Sequence, residues 1–240
     1  MARQKHVWIA GMAAAALLTA AGCSAENGDK SPGAGDAKPA PARSGAAGGG
    51  PAEADGTLPG MPTAEQAHTQ LAELKVAPHG SMSGYSRDKF RHWASQGESC
   101  NTRETVLNRD GMNVQRDSEC RPVSGTWVSV YDDKTFKAAA DLDIDHTVPL
   151  ANAWRSGANK WTQEKRKDFA NDLTHPQLLA VSAASNRSKG DQGPDEWQPP
   201  SKTYWCAYAR AWTSVKATYE LSVTVAEKDM LGQMLDTCSP

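Results

Sequence analysis

The 240-residue sequence lacks both a strong net charge and the cysteine spacing of a zinc-thiolate site. Its 26 basic and 28 acidic residues leave a formal net charge of −2, so a polyanionic partner would have to be bound by local patches of the surface. The five cysteines include no Cys-X-X-Cys pair, which disfavours a structural zinc site. No internal repeat is evident, and a chain of this length can hold one medium-sized domain or two small ones.

Long hydrophobic runs are confined to the N-terminus. Arg3 and Lys5 precede the apolar run VWIAGMAAAALLTAAGC, which ends at Cys23 and is too short for a comfortable membrane span. This layout predicts a signal peptide over residues 1–23. The end of the run, LTAAGC, resembles the lipobox of bacterial lipoproteins, although Ala20 replaces the usual leucine. The resemblance implies lipidation of Cys23 and membrane attachment through that lipid only; the alternative is an ordinary signal peptide that is cleaved nearby.

Large apolar residues are almost absent from residues 24–60, which consist mainly of Gly, Ala, Pro, Ser and Asp. A segment of this composition cannot bury enough surface to offset the entropy that is lost when it becomes ordered. The sequence therefore predicts a disordered linker over 24–60. The linker would hold a folded domain over 61–240 away from the membrane.

The C-terminal part of this domain has the periodicity of two helices. A stripe with spacings of three and four is typical of one helical face and consists of Tyr204, Tyr208, Trp212, Val215 and Tyr219. Thr224 and Glu227 have the spacing of a capping box, which predicts a second helix and hence a helical hairpin over 201–238. Aromatic residues at this spacing are typical of a core, and the alternative is that they stack nucleobases.

The cysteines fit two disulfides. If the first cysteine carries lipid, the other four form an even set, as expected for an exported protein. Cys206 and Cys238 each lie 16 residues from Ser222, near the predicted turn, so antiparallel helices would bring the two cysteines level. We therefore predict the pairs Cys206–Cys238 and Cys100–Cys120, each of which would contribute about 2–4 kcal/mol.

Further helices and strands are predicted before the hairpin. Thr63 and Gln66 have capping-box spacing and begin a helix. Runs rich in β-branched, aromatic and aliphatic residues predict strands over Gly125–Tyr131, in the segment LDID and over Gln177–Val181. The segment NKWTQEKRKDFANDL, between the last two strands, predicts another helix. The predicted fold class is α+β, with helix predominating.

The stretch DLDIDHTVPL places Asp141, Asp143 and Asp145 at alternating positions of a predicted strand, directly before His146. Alternate residues of a strand share one face, and stacked like charges repel each other. A bound divalent cation would offset this repulsion. An EF-hand calcium site is excluded, because neither the glycine nor the ligating glutamate of such a loop follows.

Three segments, DLDIDHTVPLANAWRSGA, LLAVSAASNRSKGD and EWQPP, together resemble the HNH nucleases. The resemblance is to the secreted actinobacterial branch that is related to the C-terminal domain of GmrSD restriction enzymes. Weaker matches in CNTRETVL and SGTW extend it over residues 85–200. It implies a ββα-metal finger over residues 141–192, embedded in a mostly helical domain that the disulfides hold together. In this finger His146 ends the first strand and Asn186 lies on the helix.

The resemblance also implies a role for each motif residue. His146 would be the general base, and Asp145 and Asn186 would bind one divalent metal ion. Gln177 takes the middle position, where Asn usually ties the loop that aims the histidine; Gln can make similar bonds with a longer side chain. A rival alignment makes His175 a ligand instead.

Carboxylate and amide oxygens are hard ligands, which favours Mg²⁺, with Mn²⁺ as the second candidate, over softer ions such as Zn²⁺. Asp143 is expected to hold an outer-shell water, whereas Asp141 is expected only to be solvated. A neutral imidazole suits the deprotonation of water near neutral pH, and a divalent cation stabilises charge on the phosphate and on the departing oxygen. These residue types therefore fit phosphodiester hydrolysis.

Basic residues near the motif are candidates for binding the substrate phosphate. Lys189 and Arg187 lie closest to Asn186 in the sequence. Arg103 is a further candidate, with a salt bridge inside the disulfide loop as its alternative role. The basic run 165–167 would either extend the contact along a duplex or form a solvated helix face.

The sequence thus predicts a monomeric, metal-dependent endonuclease that is exported, either to the outer face of the cell membrane or into the medium. The expected substrate is DNA, with RNA as a second candidate. No separate recognition module is visible, which predicts low sequence specificity. The alternative is a catalytically degenerate surface lipoprotein that binds nucleic acid or a cell-envelope partner. Degenerate copies usually lose the base or a ligand, and both are present here.

Overall fold

The structure is a computed structural model that describes residues 58–239. The predicted signal peptide, Cys23 and residues 24–57 of the predicted linker lie outside the described residues. Leu58, which the sequence places in the linker, is buried in the main hydrophobic core. The folded unit therefore includes Leu58, so the predicted boundary at residue 60 is too late. None of the helices within 58–239 is both long and apolar enough to cross a membrane.

The described residues form seven α-helices and seven short strands. The helices are Ala64–Glu73 (α1), Thr102–Asp110 (α2), Leu150–Arg155 (α3), Gln163–Ala170 (α4), Ala183–Lys189 (α5), Trp205–Thr218 (α6) and Val225–Leu235 (α7). The strands are Ser95–Gly97 (β1), Cys100–Asn101 (β2), Met112–Arg116 (β3), Pro122–Ser129 (β4), Lys134–Phe136 (β5), Leu142–His146 (β6) and Leu178–Ser182 (β7). Short 3₁₀ helices lie at Arg87–Phe90, Ala139–Asp141, Ala158–Lys160 and Lys202–Tyr204.

The strands β6 and β7 form an antiparallel pair that is directly followed by helix α5. Their register places Asp145 opposite Leu179 and His146 opposite Leu178. Helix α5 begins at once because the side chain of Ser182, the last residue of β7, accepts a hydrogen bond from the backbone N–H of Ser185. The two predicted strands thus pair with each other and a helix follows the second one, as the sequence predicts, whereas α3 and α4 lie between the strands in the chain.

This strand pair lies between two hydrophobic clusters. Leu142 and Ile144 of β6 pack in the smaller cluster with Trp127. Leu179 and Val181 of β7 point the other way, into the main core, and every residue of β7 is buried. Since both faces are covered, any polar side chain on this pair needs a partner to offset its loss of hydration.

The C-terminal hairpin has the predicted form. Thr224 and Glu227 make the capping box that begins α7, and the Cys206–Cys238 disulfide joins the hairpin near its ends. Tyr208 and Trp212 are almost fully buried in the main core. The aromatic stripe therefore serves packing, and the alternative that these two rings stack nucleobases is wrong.

The Cys100–Cys120 disulfide also has the predicted pairing. Three predicted elements differ in extent from those of the structure. Strand β4 ends at Ser129, before Tyr131. Helix α4 begins at Gln163, because the side chain of Thr162 caps it. Asp141 lies in a 3₁₀ turn and is exposed, so the acidic row of β6 consists of Asp143 and Asp145 only.

Candidate active site

Helix α5 covers the face of β6 that carries the two aspartates. The Nδ2 atom of Asn186 donates a hydrogen bond to Oδ2 of Asp143 at 3.2 Å. One helical turn further along, Lys189 contacts Asp145. Residues three apart lie on the same face of a helix. Asn186 and Lys189 therefore face β6 together, and each of them contacts one of its two aspartates. The side-chain oxygen of Asn186 accepts no hydrogen bond from any residue within 58–239.

Asp145 is buried and is held by a cation and a hydroxyl group. The Nζ atom of Lys189 lies 3.0 Å from Oδ1 and 2.8 Å from Oδ2 of Asp145. The hydroxyl of Tyr131 donates to Oδ2 at 2.5 Å. Burial, together with the charge of Asp145, keeps the pKa of Tyr131 well above its ordinary value, so the hydroxyl remains a donor. These contacts satisfy the buried carboxylate, as its loss of hydration requires.

His146 is held in one tautomer by the backbone. Its Nε2 atom lies 3.0 Å from the carbonyl oxygen of Ala170, which can only accept a hydrogen bond. Nε2 therefore carries the proton and Nδ1 carries the free lone pair. The ring is buried and stacks on Trp93, with the ring centroids 5.9 Å apart. Burial lowers the pKa of His146 to about 3, and the Arg87 guanidinium acts in the same direction, so the imidazole is neutral near pH 7.

Gln177 ties the loop that follows His146. Its Oε1 atom accepts a hydrogen bond from the backbone N–H of Val148 at 3.1 Å, and its Nε2 atom donates to the carbonyl of the same residue at 2.9 Å. The backbone N–H of Thr147 also donates to the Gln177 carbonyl, at 2.7 Å. Gln177 is fully buried. These are the loop-tying bonds that the sequence assigns to the middle motif position.

A pocket of about 200 Å³ opens at this site. Asp145, His146 and Asn186 line this pocket. The side chains of Tyr85, Arg87 and Asp191 also border it. Arg87 is exposed and belongs to the 3₁₀ helix Arg87–Phe90, far from the motif in sequence. The pocket thus brings a neutral imidazole, two carboxylates, an amide and a guanidinium to one small space.

Three of these site contacts were missed by sequence reasoning. The sequence pattern predicts a strand that includes Tyr131, and no motif surrounds Trp93 or Arg87. One local signal existed for Arg87, since Ser86 caps the short helix that carries it. No local pattern shows that these segments fold over His146, because their contacts join residues that lie far apart in the chain.

The structure corrects the predicted phosphate contact of Lys189. The side chain is fully buried, and its ammonium group is bound to Asp145 and to the His146 carbonyl. A phosphate outside the protein cannot reach it. Arg187, the other candidate on this helix, is largely exposed, and its Nε atom lies 3.7 Å from Oδ2 of Asp143. Of the two candidates on α5, Arg187 is therefore the one that stays accessible to a substrate.

Arg103 also differs from its predicted role. Its guanidinium donates to the backbone carbonyls of Ala139 and Leu142, at 3.0 and 2.9 Å. Among the described residues, these contacts include no carboxylate of the disulfide loop, and Arg103 does not line the pocket. These bonds hold the chain where β6 begins, so Arg103 supports the strand that carries the site.

The rival ligand and the basic run lie elsewhere. The Nδ1 atom of His175 lies 2.7 Å from Oδ2 of Asp172, and this pair borders a separate groove with Tyr219. Arg166 donates to backbone carbonyls that include that of Ala158, and Lys165 lies over the Trp161 ring. These contacts favour a packing role for much of the run 165–167.

Few side-chain oxygens that could bind a metal ion border the pocket in the described part of the chain. Within residues 58–239, no group of three or more His, Cys, Asp or Glu side chains is arranged to hold a metal ion. The oxygen donors that border the pocket are the carboxylates of Asp145 and Asp191 and the amide oxygen of Asn186; the Asp191 carboxylate is already paired with Arg155. This set is small and hard, so any ion held here would complete its coordination with water and substrate oxygens.

Comparison with known proteins identifies the family. The model of the family described as "GmrSD restriction endonucleases, C-terminal domain" matches residues 103–234, more than half of the chain. The match begins later than the resemblance found in the sequence and continues through most of the C-terminal hairpin.

A curated relative matches over most of its length. An uncharacterized secreted protein from Arthroderma benhamiae is 56% identical over 182 residues, which cover 76% of this chain and 89% of the relative. This relative is fungal, so the comparison does not support the predicted actinobacterial branch. No solved structure matches the chain. The chain belongs to the family of GmrSD restriction endonuclease C-terminal domains.

Proposed function

We propose that the protein is an exported, metal-dependent endonuclease of the HNH type that hydrolyses phosphodiester bonds of DNA, with RNA as a second candidate substrate. One observation carries this proposal. The Nε2 atom of His146 donates to a backbone carbonyl, which leaves the lone pair of Nδ1 available. The ring borders a pocket that Asp145 and Asn186 also line. Family membership supports the same nuclease class.

His146 is suited to accept a proton from water. Because Nε2 donates to the Ala170 carbonyl, the lone pair of Nδ1 is available to a water molecule between the ring and a phosphate. Without a bound phosphodiester, the low pKa makes the ring a weak base. A phosphodiester carries negative charge, which favours the imidazolium form and raises that pKa when the substrate binds. The base thus gains strength when the substrate is present.

Arg87 is the cation that we assign to the substrate phosphate, in place of Lys189. It is exposed, it borders the pocket, and its charge already influences His146. A guanidinium can donate two parallel hydrogen bonds to a phosphate. Arg187, on the outer side of α5, is the second candidate for a neighbouring phosphate.

The residues present fit a divalent metal ion. Within residues 58–239, Oδ1 of Asp145 accepts only from Lys189 and so keeps an acceptor position, while the Asn186 amide oxygen accepts from no residue. We propose these two oxygens as the protein ligands of one Mg²⁺ or Mn²⁺ ion. A bound divalent ion would supply charge stabilisation for the phosphate and the departing oxygen. Asp143 holds the Asn186 amide so that its oxygen is free for this role.

Low sequence specificity and export complete the proposal. The site is small and comes from one chain, and no separate base-reading module was found in the sequence, which supports a monomer that cuts with little preference. Two disulfides and the secreted relative support export. Attachment through Cys23 remains part of the proposal; Cys23→Ser should move the protein from the membrane fraction to the medium.

The proposal is tested by incubating the full-length protein, with its disulfides intact, with supercoiled plasmid in Mg²⁺, Mn²⁺ or EDTA. Nicking should require metal and should fall by about 100-fold or more in His146→Ala, the loss expected for a general base. His68→Ala, an exposed histidine on α1, is the matched control and should keep full activity. Single-stranded DNA and RNA in parallel reactions define the substrate class.

A second candidate function is the catalytically degenerate binding protein. One observation favours it: Asp145 is already bound by Lys189 and Tyr131. Persistent DNA binding by a folded protein, without cleavage in either metal, would establish this alternative. Cleavage that His146→Ala does not change would mean that the base is misassigned. Discrete bands from a mixed-sequence substrate would contradict low specificity.

A further inference from the structure

Lys189 forms an ion pair inside the site with no access to solvent. Its side chain is fully buried, and Nζ lies within 3.0 Å of both Asp145 oxygens and 2.9 Å from the carbonyl oxygen of His146. These three acceptors match the three N–H donors of an ammonium group. The ring of Trp212 lies 5.7 Å from the same atom. Every donor of this cation is therefore used within the protein.

The two oxygens of Asp145 are not equivalent. Oδ2 accepts from both Lys189 and Tyr131, whereas Oδ1 accepts from Lys189 only, within residues 58–239. Oδ1 therefore keeps room for one more partner. A divalent ion that binds this oxygen would share the carboxylate with a fixed ammonium group.

We propose that Lys189 is a built-in counter-cation that lowers the metal affinity of the Asp145 site. The inference rests on the proposed function, because it takes Asp145 and Asn186 as the metal ligands. Like charges around one carboxylate repel, and this repulsion is strong where water is excluded. Lys189 also fixes the position of the carboxylate through its two hydrogen bonds. It is thus a positioning residue that holds the ligand ready and limits how tightly the ion binds.

This role differs from a purely structural one in the direction of its effect. If Lys189 served only to hold Asp145 in place, removing it would loosen the ligand and weaken metal binding. If it acts as a competing cation, replacing it by an uncharged side chain of similar length should tighten metal binding. Lys189→Met makes that change. Tyr131→Phe is the matched control, because it removes a hydrogen bond to Asp145 without removing a charge.

The experiment is a titration of the full-length, disulfide-bonded protein with Mn²⁺ alone, in which the free ion is followed by electron paramagnetic resonance. Thermal unfolding verifies that each variant is folded. Asp145→Asn should abolish binding. Lys189→Met should lower the Kd for Mn²⁺ by roughly tenfold or more, and Tyr131→Phe should change it less. A Kd for Lys189→Met that is equal to or higher than that of the wild type overturns the inference.

A second variant and a wild-type measurement cover the case in which Lys189→Met does not fold. Lys189→Gln keeps an uncharged N–H donor group for Asp145 and should also tighten binding. In the wild type labelled with ¹⁵N-lysine, the Nζ signal of Lys189 should shift as Mg²⁺ is added, while that of the buried Lys216 should not. An unchanged Lys189 signal at saturating Mg²⁺ would contradict the shared carboxylate.

Failure of this inference can be distinguished from failure of the proposed function. If Asp145→Asn leaves Mn²⁺ binding unchanged, the proposed metal site is wrong and the inference fails with it. If Asp145→Asn abolishes binding but Lys189→Met does not tighten it, only the inference fails. Plasmid cleavage, measured separately, tests the nuclease without reference to Lys189.

Discussion

The side-chain amide of Gln177 makes two hydrogen bonds to the backbone of Val148, accepting from its N–H at 3.1 Å and donating to its carbonyl at 2.9 Å. Both residues are fully buried. Val148 lies two residues after His146, so these bonds determine the path of the chain as it leaves the proposed base. An amide side chain suits this position because it offers one donor and one acceptor.

Gln177→Leu should therefore be strongly destabilising. It leaves two buried backbone groups of Val148 without partners, each at a cost of about 1–3 kcal/mol. We expect the free energy of unfolding in urea to fall by about 2–5 kcal/mol, with loss of plasmid cleavage. Gln115→Ala, an exposed position on β3, should change it by less than about 0.5 kcal/mol. Equal effects of the two variants would contradict this role of Gln177.

The burial of His146 should make the metal-free protein sensitive to acid. Its pKa is about 3 in the folded state, because burial disfavours the charged ring, and about 6.5 when unfolded. Between these values the unfolded state binds more protons. Stability is therefore complete above pH 6.5 and is lost as the pH falls toward 3, at up to about 1.4 kcal/mol per pH unit.

Urea unfolding in EDTA, from pH 7.5 to 4.5, measures this effect. His146→Phe lacks the titrating group, so the wild type should lose stability relative to the variant below pH 6.5. The other histidines are present in both proteins, so their contributions cancel in the difference between the two free energies of unfolding. A stability difference that stays constant with pH would show that His146 is not buried in its neutral form.

Arg87→Ala should weaken substrate binding more than it slows the chemical step. Loss of one phosphate contact should raise KM for DNA by roughly tenfold and make the salt dependence of binding shallower by about one unit in the log–log slope. Lys160→Ala, an exposed lysine outside the pocket, is the control for a general loss of positive charge. The prediction is wrong if both variants change the slope equally.

Arg103→Met should reduce stability without changing the salt dependence. The guanidinium donates to two carbonyls where β6 begins, so we expect a loss of about 1–3 kcal/mol in the free energy of unfolding. The slope of DNA affinity against salt concentration should match that of the wild type. A shallower slope would restore Arg103 as a phosphate contact.

The buried pair Lys216–Glu227, with 3.0 Å between Nζ and Oε1, should show strong coupling. Glu227→Gln removes the negative charge that compensates the buried ammonium group of Lys216. This change should lower the free energy of unfolding by about 3–5 kcal/mol. The double variant Lys216→Met with Glu227→Gln should recover part of this loss. A double-mutant cycle in urea measures the coupling, and additive effects would contradict it.

Lys216 lies 5.7 Å from the Trp212 ring centroid, on which Lys189 also packs, so the pair supports the site indirectly.

The sequence by itself was enough to locate the motif and much of the framework around it. Alternation along β6 predicted the strand that carries the aspartates, and the resemblance of the motif segments to HNH nucleases implied that Asp145, His146 and Asn186 form the site. The alternation is a local pattern with a fixed period, and the motif segments are short and local as well. The pairing of Cys206 with Cys238 was also predictable, because two helices of similar length joined by a turn place their ends together.

The tertiary structure alone decided what surrounds each motif residue. The sequence predicts that Lys189 faces the substrate, but the side chain turns inward. Burying the Asp145 carboxylate without a cation beside it would cost more free energy than leaving an exposed phosphate site without this lysine. Its three-residue spacing from Asn186 was a local signal for this face of α5. Tyr131, Arg87 and Trp93 come from segments far from the motif. Their contacts depend on how separate elements pack, which no local period encodes.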